Sequence, residues 1–83
     1  MYKEIVKKYI KNITPQDIKN YASSINIDLN NNEVNILFNF LLKYYEELLN
    51  KNTKCLEKLK PLLREDLYIK IVNLYEENKN KYL

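Results

Sequence analysis

The sequence contains no glycine and no histidine. Without Gly, no stretch of backbone can approach a phosphate free of an intervening Cβ. A P-loop and a GxGxxG dinucleotide site are therefore both excluded. Tight β-hairpins are disfavoured for a related reason, because their preferred turns need positive φ. Without His, Ser-His-Asp and Cys-His catalysis are lost, together with the commonest metal ligand. The single cysteine, Cys55, has no internal disulfide partner, whereas small secreted domains usually carry several. The longest near-apolar stretch, residues 36–42, is interrupted by Asn39 and is far shorter than the ~20 residues of a membrane span. The opening MYKEIVKKYIKN has Lys and Glu where a signal peptide is apolar. These absences lead us to expect a cytoplasmic protein that is not an enzyme, holds no cofactor or metal, and does not bind membranes.

What is present suits one folded domain. Of 83 residues, 46% are hydrophobic and 30% charged, ordinary values for a globular chain. A chain this short buries only about 60% of its unfolded surface, so its stability margin is narrow. Thirteen Asn, thirteen Lys, nine Ile and eight Tyr share A/T-rich codons. The Asn residues are scattered through periodic hydrophobic sequence, which argues against a prion-like tract.

The periodicity is helical almost throughout. Over residues 2–11, Tyr2, Ile5, Val6, Tyr9 and Ile10 share one face, and Lys3, Lys7, Lys8 and Lys11 the other. In ITPQDI, Thr14 is a cap, Pro15 the first helical residue, Asp17 the reciprocal partner, and Ile13 and Ile18 a hydrophobic staple. The helix turns Ile18, Tyr21, Ala22 and Ile25 inward. It is expected to stop near Asn26, which tolerates the left-handed conformation, with Ile27 folding back onto Ala22 or Tyr21.

LNNNEV repeats the same grammar, with cap Asn30, partner Glu33, and staple Leu29 and Val34. It opens a helix over 31–49 that is apolar around most of its circumference and is therefore expected at the centre of the fold. A turn over 50–53, with a cap at Asn52 or Thr53, leads into a helix carrying Leu56, Leu59, Leu62 and Leu63. Pro61 requires a kink or break near 60–64. A last helix over about 65–79 presents Leu67, Tyr68, Ile71, Leu74 and Tyr75, and the tail KNKYL is expected to fray. The fold class is all-α, a single domain over 1–83 of four to five helices in an orthogonal or bundle-like arrangement.

Candidate chemistry is sparse. Asp28, Asn30 and Asn32 have the spacing of the first EF-hand ligands, but Glu33 occupies the position of the required Gly and Asn39 that of the bidentate Glu. Capping explains them better. The adjacent acids Glu46/Glu47, Glu65/Asp66 and Glu76/Glu77 point about 100° apart on a helix and do not converge, while Glu47 and Lys51 fit an i,i+4 ion pair. Cys55 lies near Lys51, Lys54 and Lys58, a setting that can lower a thiol pKa, yet it has no relay or resolving partner. A half-buried small hydrophobe is the simpler reading.

Most of the tyrosines fall on apolar faces, and Tyr44 is the one expected to be exposed. Positive charge gathers in residues 3–11 and 51–64. With a single Arg, bidentate base readout is poorly supplied. Tyr44, Lys7, Lys54 and Lys58 are the candidate partner-binding residues.

The stretch ITPQDIKNYASSINIDLNNNEVNILFNFL resembles the DUF2624 family of short uncharacterised proteins from low-GC Gram-positive bacteria. The likeness covers residues 12 to about 42, with a looser fit of IVNLY near the end. It implies a bacterial all-helical cytosolic domain and offers no site residues. The function expected is non-catalytic: a small adaptor or inhibitor that binds an unknown protein partner, or forms a homodimer. The alternative is a weak nucleic-acid-associated protein using the basic segments 3–11 and 51–64.

Overall fold

Four α-helices and one 3₁₀ segment follow one another in a computed structural model that describes residues 2–82, and the side chains of residues 3–79. The helices are α1 (Tyr2–Lys11), α2 (Pro15–Ser24), α3 (Asn31–Leu49) and α4 (Glu65–Tyr82), and the 3₁₀ segment, Lys54–Leu59, lies between α3 and α4. The protein is all-α, as the periodicity predicts.

The helix starts form as the sequence indicates. The Asp17 amide donates to Thr14 Oγ1 at 3.2 Å, and the Thr14 amide donates back to Asp17 Oδ2 at 2.9 Å. At α3 the Glu33 amide donates to Asn30 Oδ1 at 2.8 Å, and the Asn30 amide donates to Glu33 Oε1 at 3.0 Å. Each pair satisfies two of the amides that a helix N-terminus leaves without intrahelical partners.

Two helix ends use the left-handed conformation in a chain that has no glycine to supply it. Asn26 has φ 62°, and the Ile27 amide donates to the Ala22 carbonyl at 2.8 Å. Lys51 also has φ 62°, and the Asn52 amide donates to the Glu47 carbonyl at 2.9 Å. Both are Schellman closures. Asn tolerates that conformation and Lys does so less well. Because Lys51 has left the helix, it is no longer aligned with Glu47 by i,i+4 spacing.

The fourth predicted helix is replaced by the 3₁₀ segment. Thr53 makes no side-chain cap, and Asn52 Oδ1 accepts from the Lys54 amide at 3.1 Å. This is a two-residue Asx turn that favours a tight start. Pro61 breaks the chain before α4, which leaves Leu62 57% exposed although the leucine spacing placed it inward. α4 runs past the expected end at Lys79 to Tyr82; Leu83 and the side chains of the expected fraying tail beyond Lys79 lie outside the described residues.

α3 is central, as its wide apolar circumference requires. α1, α2 and the 3₁₀ segment all pack on it. Leu59 and Leu67 are the most deeply buried large side chains, joined by Leu56, Cys55, Val34 and Phe40. Leu29 and Val34, the staple of α3, are both buried. α4 is fastened to α3 by the Tyr75 hydroxyl, which donates to the Leu48 carbonyl.

α1 departs most from its expected packing. Val6 and Ile10 are half-buried, but Ile5 is 66% and Tyr9 59% exposed. The small core covers one edge of the stripe and leaves the other free. Tyr2, predicted to face inward, has a side chain outside the described residues. Tyr21, expected to be buried on α2, is also exposed.

Candidate functional site

The predicted partner-binding residues divide between two sides of α3. The Tyr44 ring is half-buried rather than the exposed tyrosine, because it packs on Phe40 with ring centroids 5.1 Å apart. Lys43 Nζ lies 5.4 Å and Lys58 Nζ 5.9 Å from the Tyr44 centroid. These distances lie within the range of cation–π attraction. Tyr44 and Lys58 are thus brought together from α3 and the 3₁₀ segment, and Lys54 is exposed on that segment.

Lys7 lies elsewhere. Its Nζ is 3.8 Å from Glu46 Oε1, and Glu46 is two residues, or about 200°, around α3 from Tyr44. Lys7 therefore lies on a different side of α3 from Tyr44. The Lys7–Glu46 pair is solvent-exposed, a setting in which ion pairs contribute little.

The strongest polar contact was not predicted. Glu33 is buried, and the Arg64 Nε donates to its Oε2 at 2.7 Å while Nη2 reaches its Oε1 at 3.4 Å. Arg64 Nη2 also donates to the Asp28 carbonyl at 3.3 Å. The hydrogen bond that Arg64 donates to Glu33, then the Glu33 charge, holds the Arg64 guanidinium pKa above the ordinary value. The one available signal was that Arg64 is the chain's single arginine, since a planar five-donor fork suits a buried carboxylate better than Lys does.

Cys55 is 2% exposed. Burial, and secondarily the charge of Glu47, push its thiol pKa up, opposite to the lowering that its lysine neighbours suggested. Its Sγ lies 3.5 Å from the Asn52 carbonyl. It is packed more deeply than the half-buried hydrophobe expected.

Two shallow surface depressions have volumes of about 150 and 160 Å³. One lies between Lys7 and Glu46, the other beside Arg64 and Asp66. Both are well under the ~300 Å³ at which small-molecule sites begin. Among the described residues, no helix is long and apolar enough to cross a membrane, and no group of three Cys, Asp or Glu side chains is arranged to hold a metal.

The surface also presents Ile5, Tyr9, Tyr21, Leu42, Leu62 and Ile69, each 43–66% exposed. Ile69 was legible in the sequence, lying about 200° around α4 from buried Leu67. Comparison of the chain with known protein families, curated proteins and solved structures finds no match.

Proposed function

We propose that this chain acts by binding another protein, as a small adaptor or inhibitor, and not by catalysis. The observation that carries this reading is the uncovered edge of α1, where Ile5 and Tyr9 stand one turn apart at 66% and 59% exposure. Isolated apolar side chains on a surface are ordinary, whereas contiguous exposed apolar surface is the feature that interaction sites share. The small size of both depressions favours a surface partner over a small molecule. The resemblance over residues 12–42 belongs to the same proposal.

The test is affinity capture from lysate, comparing the wild-type chain with Ile5→Asp/Tyr9→Asp. Specific proteins held by the wild type and lost by a variant of unchanged helicity support the reading. Identical capture by both overturns it.

A second reading, weak nucleic-acid association, is favoured by the juxtaposition of Tyr44 with Lys43 and Lys58, since an aromatic ring among cations is a stacking platform for single strands. It is disfavoured by the separation of Lys7 from that group. Fluorescence anisotropy with labelled DNA and RNA decides it. Tight binding at ~150 mM salt, lost in Lys54→Glu/Lys58→Glu, would establish the second reading.

A further inference from the structure

We infer that the exposed strip of α1 docks on the exposed strip of α4 of a second copy of this chain. The inference rests on the protein-binding reading and names the partner. On α1, the exposed side chains are Ile5 and Tyr9 with Lys3, Lys8 and Lys11 against Glu4. On α4, they include Ile69 with Glu65, Asp66 and Glu77 against Lys70. The α1 strip exposes two apolar residues and the α4 strip one, and the two rims carry opposite net charge.

The charges are available for such a contact. Lys8 and Lys11 are exposed, and Lys7 faces Glu46 on α3. On α4, Glu76 is taken up by Lys79 at 2.8 Å, and Asp66 is paired with Arg64 at 4.0 Å. Glu65 and Glu77 remain on the outer face.

Like charge argues against the alternative in which α1 meets α1 of the other copy, since lysines would then rim both sides. Lengths also match. Ten residues of α1 span about 15 Å, and Glu65 to Glu77 about 18 Å. In the inferred dimer each copy's α1 strip faces the other copy's α4 strip, and steering by opposite charges makes the association sensitive to salt.

The experiment is light scattering coupled to gel filtration at about 100 μM chain, a concentration that populates a micromolar complex, with helicity checked by circular dichroism. The wild type is expected to self-associate. Lys8→Glu/Lys11→Glu, and separately Glu65→Lys/Glu77→Lys, are each expected to be monomeric, because each makes the two strips alike in sign. Mixing the two variants restores opposite signs at both contacts and is expected to recover the complex. A monomeric wild type overturns the inference, and so does a complex indifferent to both charge reversals. A monomer that still captures another protein through Ile5 and Tyr9 overturns self-docking alone and leaves the protein-binding reading standing.

Discussion

Arg64 and Glu33, thirty-one residues apart, meet at 2.7 Å where the start of α4 passes the start of α3. Glu33 does two jobs with one carboxylate. Oε1 closes the capping box on the Asn30 amide, and Oε2 takes the Arg64 Nε. A local helix-start device thereby becomes a long-range clasp, which also holds the Asp28 carbonyl of the loop before α3.

The clasp predicts coupling. Glu33→Ala is expected to destabilise by about 1–3 kcal/mol, since it strands the Asn30 amide and frees Arg64. Arg64→Ala should lower the urea midpoint, because it leaves a buried carboxylate short of one partner. Arg64→Lys should recover little, as an ammonium cannot reproduce the two-pronged contact. In a double-mutant cycle the combined loss should be smaller than the sum of the single losses. Additive losses would mean that the contact contributes nothing in solution.

The caps give a second expectation. Thr14→Ala and Asn30→Ala should each cost roughly 0.5–2 kcal/mol. Asn30→Ala should cost more, because its partner Glu33 is buried and shared with Arg64. Equilibrium urea unfolding measures both, and unchanged midpoints would contradict the observed helix starts.

The two left-handed residues separate by chemistry. Lys51→Gly should stabilise by up to about 1 kcal/mol, the relief of the left-handed penalty less the entropy that Gly adds to the unfolded chain. For a chain of this length that is a rise of about 4–8 °C in Tm. Asn26→Gly should give less, since Asn already tolerates the conformation. Thermal unfolding in which Lys51→Gly melts lower would show that its side chain, and not its backbone, matters.

Cys55 and Tyr75 are expected to contribute to the alkaline limb of stability. Burial first, then Glu47, raises the Cys55 thiol pKa, and burial is the first cause of the rise at Tyr75. A group whose folded pKa is raised holds its proton more tightly when folded. Its contribution is complete below the unfolded value and is lost as pH rises through the folded one. Stability should therefore fall once pH passes the ordinary thiol range, and Cys55→Ala should flatten the first part of that fall. Native Cys55 should also react slowly with a thiol reagent and faster in urea. Rapid labelling of the native chain would place the thiol outside the core.

Much of the fold follows from local chemistry. ITPQDI and LNNNEV fix the starts of α2 and α3, because a cap, its third-position acid and its staple all lie within six residues. The end of α2 at Asn26 and the break at Pro61 are equally local, set by one residue's φ preference and one missing amide. The tertiary structure decided how far each apolar stripe is covered. Ile5 and Tyr9 belong to a well-formed helical face, yet a core this small runs out before reaching them. It also decided that Arg64 meets Glu33, that Lys58 meets Tyr44, and that Lys7 lies across α3 from both. Those pairings depend on helix packing and on the tightening of residues 54–59 into a 3₁₀ turn, and periodicity within single helices carries no information about either.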